Sequence, residues 1–189
     1  MNTPKSRSQF GTFVRFLKKY FHDYGGLPAV IGSPLFITSL AISLVSYQSW
    51  IDESWPDLAM SVIPNLLGFS LGTYALLFSL ISPRIRLALR TLRNDKGVRY
   101  IDEMNATFLH FILVQVICFI WAFLYKQSLF LDISLWVART MPSNVNLFPV
   151  LSTMGGIVGV LLILYSILLV IGASLTVYRI AKIVDPDQS

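Results

Sequence analysis

A chain of 189 residues is long enough for one soluble domain, yet 54% of it is hydrophobic and only 13% is charged, where a soluble domain carries about 25% charge. That composition excludes water as the main solvent and predicts an all-α integral membrane protein. The net charge of +5 falls in clusters between long uncharged stretches, so it is a topology signal facing anionic lipid, and direct nucleic-acid binding is not expected.

Residues 1–26 form a basic segment carrying Lys5, Arg7, Arg15, Lys18 and Lys19. Phe10, Phe13, Val14, Leu17 and Phe21 recur at helical spacing, with Arg15, Lys18 and Lys19 on other faces, which predicts an amphipathic helix lying in the cytoplasmic membrane interface. Such a helix senses lipid, docks a partner or simply anchors the topology. Gly25, Gly26 and Pro28 break it before the first apolar run. No cleavable leader is expected, because the apolar run begins late and lacks a small-residue cleavage site.

A bilayer core of about 30 Å needs about 20 apolar helical residues, and four stretches qualify, at about 28–51, 58–82, 106–125 and 150–178. The last is predicted as a helix from about 150 to 183, starting after Pro149 and projecting past the membrane toward Arg179. The predicted organisation is thus the segment 1–26, a four-helix transmembrane domain over 27–183 and a tail at 184–189. Arg84, Arg86, Arg90, Arg93, Lys96 and Arg99 crowd the loop 83–105, and Arg179 and Lys182 follow the last span; the outer loop 126–149 has only Lys126 and Arg139. The bias places both termini and the loop 83–105 in the cytoplasm, in a multi-pass topology.

Within that inner loop, Ile85, Ala88, Leu89 and Leu92 share one helical face while Arg86, Arg90 and Arg93 share another, and Asn94-Asp95-Lys96-Gly97 is a turn. Val98 to Asn105 continues into the third span with Asp102 and Glu103 in its first turns, where acids suit the helix dipole. Arginine forks dock carboxylates and phosphates. Arg15, Lys18, Lys19, Arg84, Arg86, Arg90 and Arg93 are therefore candidates for docking a cytosolic partner or lipid head groups, although positive-inside bias alone accounts for several of them. In the outer loop, Leu129, Phe130, Ile133, Trp136 and Val137 predict a short interfacial helix, followed by an Asn-rich turn between Pro142 and Pro149.

Ser61, Asn65, Gly68, Gly72, Ala75, Ser79 and Ser82 recur at steps of three and four, a small or polar stripe along the second span. In lipid, helices associate through close backbone approach and interhelical hydrogen bonds, which small residues permit. Gly68, Gly72, Ala75 and Ser79, with Gly155 and Gly159 of the fourth span, are candidate packing positions, either within one chain or in a homo-oligomer. Asn65 and Gln115 are the polar candidates inside the membrane, for a hydrogen bond between helices or a pore lining. Cys118 sits in an apolar run and packs as a small hydrophobe. No span carries a charge, His22 and His110 have no ligands at metal spacing, and no phosphate loop or nucleophile motif is present, so catalysis, a metal and a cofactor are not expected.

The run Pro64-Asn-Leu-Leu-Gly-Phe-Ser-Leu-Gly72, a basic Phe-rich N-terminus and four spans resemble the membrane subunit of the Kiwa bacterial anti-phage defence system, over nearly the whole chain. The resemblance implies an inner-membrane sensor and scaffold that oligomerises, detects phage attachment or DNA entry, and engages a cytosolic DNA-binding, KwaB-like effector. It implies no active-site residues. Two other classes stay open on the residues alone: an oligomeric pore former that depolarises the cell, and, more weakly, a small-substrate transporter.

Overall fold

The structure, a computed structural model, describes residues 9–51, 54–140 and 148–184. Lys5, Arg7, the turn that begins at Pro142 and the tail from Asp185 lie outside the described residues, as does the side chain of Lys182. Among the described residues the chain is helical, with no strand beyond one isolated antiparallel bridge between Arg93 and Arg99.

The basic N-terminal segment folds as α1, Gln9–Tyr24. Gly25 and Gly26, at φ +104° and +75°, then turn the chain in the left-handed region that glycine enters without a Cβ penalty. The first apolar run departs from the expected single helix over 28–51. It forms α2 (Gly26–Ile31), α3 (Pro34–Val45) and α4 (Tyr47–Ile51). Pro34 opens α3 and holds Ser33 extended at ψ 130°, which ends α2 at Gly32. A second break falls at Ser46, whose hydroxyl and amide both bond the carbonyl of Ile42. At 12 residues α3 is about 18 Å long, well short of a bilayer core.

The other apolar runs fold as expected. α5 (Trp55–Leu80), α7 (Tyr100–Lys126) and α9 (Phe148–Val184) are each long and apolar enough to cross a membrane. With 37 residues, α9 extends about 55 Å, and Pro149 sits in its first turn, where a missing N–H costs nothing. Between them lie α6 (Pro83–Thr91), capped by the Ser82 hydroxyl accepting from the Ile85 amide, and α8 (Leu129–Thr140), the expected helix of the 126–149 loop. After α6, the Asn94–Gly97 turn closes as the sequence predicts. The Asn94 side-chain oxygen accepts from the amides of Lys96 and Val98, and Gly97 takes φ +75°.

α5 packs along α7, and both pack on α9, while α3 and α4 cover another side of α9. Two apolar clusters result. Leu77, Phe108, Phe111 and Leu169 fill the end nearer α1 and α6, hereafter the basic end; Trp55, Ile63, Cys118 and Val160 fill the opposite end. Between them along both helices, the buried Gln115 amide donates to Ser70 Oγ at 3.0 Å, an interhelical bond in an apolar surrounding. Ser39 and Ser43 of α3 are fully buried, and Ser43 reaches the Ile157 carbonyl of α9.

The glycines of α9 have a clear packing role. A Cβ on Gly155 would meet the Phe130 ring at 2.7 Å, one on Gly156 would collide with the Trp50 backbone, and one on Gly159 would overlap the Trp55 indole. The small stripe of α5 behaves differently, since Ser61, Asn65, Gly68, Gly72, Ala75 and Ser79 are all exposed on the outside of the bundle, and nothing lies within 4 Å of a Cβ placed on Gly68 or Gly72. These two sets of glycines should respond oppositely to the same change. Gly159→Ala should lower the stability of the purified protein in detergent by about 1–3 kcal/mol, because a rigid indole must move. Gly68→Ala should leave the melting temperature unchanged or slightly raised.

Candidate functional site: a tyrosine and histidine latch beneath a basic surface

The amphipathic helix α1 is seated against α7 through one edge of its apolar stripe. Leu17, Tyr20 and Tyr24 face the bundle, whereas Phe10 and Phe16 remain 75% and 67% exposed, and Phe13 is exposed as well. The buried edge is therefore rotated from the face centred on Phe10, Phe13, Val14, Leu17 and Phe21 that the sequence predicts for lipid. Its anchor is polar. The Tyr20 hydroxyl is hydrogen-bonded to His110 Nδ1 at 2.6 Å, and His110 Nε2 to the Tyr165 hydroxyl at 2.7 Å. The Tyr24 ring stacks on the imidazole at 4.2 Å between centroids.

A neutral imidazole has one N–H and one bare nitrogen, so this chain is directional, with one tyrosine donating to the ring and the ring donating to the other. Both ring nitrogens are thereby satisfied in a residue only 4% exposed, and helices α1, α7 and α9 are joined at a single side chain. Burial, and next the neighbouring Tyr24, push the Tyr20 phenol from 10.0 up to about 12, and burial also raises Tyr24. The latch has the chemistry of an anchor. Among the described residues no group of three His, Cys, Asp or Glu side chains is placed to share a metal ion.

Ion pairs extend the seat. Lys19 reaches both Asp23 of its own helix and Asp102 of α7, and Asp102 also takes Arg99 at 2.6 Å. Asn94 donates to Glu103 at 3.0 Å, tying the Asn94–Gly97 turn to the start of α7, and the Lys96 ammonium lies against the Gly25 corner. The segment between α6 and α7 and the α1 helix thus form one continuous surface.

On that surface the candidate cations divide. Lys19, Arg86 and Arg93 hold the structure together: Arg86 donates to the Phe78 carbonyl at the end of α5, and Arg93 to the Gly97 carbonyl at 2.7 Å. Arg15 spends its Nε on the Gly11 carbonyl. Lys18, Arg84 and Arg90 are exposed, and among the described residues no ion pair reaches them. α6 buries Leu89 and half-buries Ile85 and Ala88 as expected, but it ends at Thr91, so Leu92 and Arg93 leave the faces predicted for them. Asn65 is exposed and donates to the Ser61 carbonyl within α5, while Gln115 is buried between helices.

Tyr20, Tyr24 and Tyr165 were not singled out by the sequence; the available signal was the spacing of Leu17, Tyr20 and Tyr24 along one edge of α1. Comparison with protein-family models, with curated proteins and with solved structures finds no match for this chain.

Two measurements test the latch. Tyr20→Phe leaves His110 Nδ1 buried without a partner, at a cost of about 1–2 kcal/mol, and should lower amide-exchange protection in α1 roughly tenfold while α5, α7 and α9 stay protected. The raised Tyr20 phenol should contribute its full share to the seating of α1 below pH 10.0. That share of the protection should then be lost as pH climbs toward about 12, where the buried phenol ionises.

Proposed function

We propose that this chain is a non-enzymatic scaffold and sensor subunit of the bacterial inner membrane, whose basic end docks a soluble partner. The observation that carries this reading is the division of labour among its cations. Lys19, Arg86, Arg93 and Arg99 brace α1, α6 and the turn into one surface, which leaves Lys18, Arg84 and Arg90 free of ion pairs among the described residues and turned outward. A braced, cationic, partly aromatic surface suits an acidic partner, because arginine forks lose little freedom when they meet carboxylates or phosphates. The resemblance to the membrane subunit of the Kiwa system supplies the context, an anti-phage defence complex in which the partner is the cytosolic DNA-binding effector.

In this reading the chain crosses the membrane four times with both termini in the cytoplasm. α5, α7 and α9 each cross alone, and α2, α3 and α4 cross in series, as the distribution of lysine and arginine favours. Homo-oligomerisation uses the outward stripe of α5, where Gly68, Gly72 and Ala75 would let a second backbone approach closely. One observation favours a pore as the second reading, since Ser61, Asn65 and Ser79 share that outward face. Their side chains bond carbonyls of their own helix, which suits helix packing better than lining water.

Charge reversal at Arg84 and Arg90 together should leave the fold intact and lower co-purification of the Kiwa effector subunit at least tenfold. Unchanged recovery would place the docking surface elsewhere. Gly68→Leu with Gly72→Leu should convert the oligomer to monomer by light scattering without lowering the melting temperature of the protomer. Conductance in vesicles that is lost with the same pair would favour the pore.

A further inference from the structure

At the opposite end of the bundle the chain builds a cavity of about 390 Å³ where α5, α7, α8 and α9 meet. Its origin is a tight reversal after α7. Ser128 takes φ +61°, a left-handed conformation that a non-glycine residue adopts at some cost, and α8 is folded back so that Phe130 covers Gly155 and meets the Tyr125 ring at 5.3 Å. The floor carries two hydroxyls, Tyr125 and Ser152, bonded to one another at 2.8 Å. At the mouth Lys126 is paired with Asp57, and both side chains stay open, 52% and 64% exposed. The structure gives the ammonium one acceptor and the carboxylate one donor, leaving further donors and lone pairs for a guest.

We infer that this cavity binds a zwitterionic phosphoethanolamine group, with its ammonium on Asp57 and its phosphate on Lys126. A guest carrying both signs lies antiparallel to the existing ion pair and meets an opposite charge at each end. An anion alone would also face Asp57, and a cation alone would also face Lys126. A primary ammonium donates hydrogen bonds to the carboxylate, which a trimethylammonium cannot do. The aromatic wall of Tyr125 and Phe130 takes the apolar continuation of the guest. The proposal that the group is a lipid head group rests on α5, α7 and α9 crossing a bilayer, because Asp57, Lys126 and Ser152 all stand at ends of those helices, at head-group depth. Trp50, Trp55 and Trp121 lie near the same ends, the depth at which indoles concentrate.

The test uses the full chain, delipidated in neutral detergent, with binding read by native mass spectrometry and thermal shift. Short-chain phosphatidylethanolamine should bind at least tenfold more tightly than the phosphatidylcholine or phosphatidylglycerol analogue, and Asp57→Asn or Lys126→Gln should each remove that preference. The double swap Asp57→Lys with Lys126→Asp keeps an ion pair and an unchanged lipid-free melting temperature while reversing the polarity, and it should weaken phosphatidylethanolamine at least tenfold. Equal binding of the three lipids, or phosphatidylethanolamine binding that survives the swap, would overturn the site. Water-soluble phosphoethanolamine is the separating arm. If it binds as tightly as the lipid and is lost in both Asp57→Asn and Lys126→Gln, the site stands while the bilayer placement loses its support.

Discussion

Gly155, Gly156 and Gly159 are crowded into one stretch of α9, and aromatic residues of α8, α4 and α5 occupy the space that their missing side chains leave. Much of the bundle depends on this close approach. In a lipid environment apolar surface gains little by leaving its solvent, so a helix must earn its neighbours through van der Waals contact and hydrogen bonds at short range. α9 provides both. Where Phe130 and Trp55 press against it, the Trp121 indole also donates to the Gly155 carbonyl at 3.0 Å, and Tyr125 bonds Ser152. α3, α4, α5, α7 and α8 all touch α9, so its surface sets where these five elements sit, while α1 and α6 are placed through α7.

The two ends of the bundle use aromatic residues for different work. At the tryptophan-bearing end the rings are packing material, wedged against glycine and stacked edge to face, as Trp55 is on Tyr125 at 4.7 Å. At the basic end the tyrosines are polar connectors, and His110 is the joint between α1, α7 and α9. A hydrogen-bonded joint of this kind is directional, and a buried imidazole left with one partner is costly, so α1 has one well-defined seat instead of a range of greasy contacts. That seat explains how an amphipathic helix can hold several exposed phenylalanines without losing its register on the bundle.

Much of this architecture was legible in the residues. α5, α7 and α9 follow from uncharged runs of spanning length, α6 from its periodic apolar face, α8 from the Leu129 to Val137 pattern, and the turn at Asn94–Gly97 from its composition. Hydropathy reads the first apolar run as one helix because it is blind to punctuation. Gly32-Ser33-Pro34 contains the break in plain view, but an average over many apolar residues hides a single proline. The latch was hidden for another reason. Tyr20 and Tyr24 are distant in sequence from His110 and Tyr165, and no local spacing announces a hydrogen bond across ninety positions.

The sequence by itself determined the helical character and the three helices long and apolar enough to cross a membrane, because apolar length and backbone hydrogen bonding leave few alternatives. It also located the small-residue stripe, the basic segments and the polar residues within the spans. Only the tertiary structure decided which of these face inward. The glycines of α9 receive aromatic neighbours from the same chain, whereas the stripe of α5 looks outward, although the two patterns are alike on paper. Periodicity defines the faces of a helix; the rotation of that helix about its own axis is set by what packs against it.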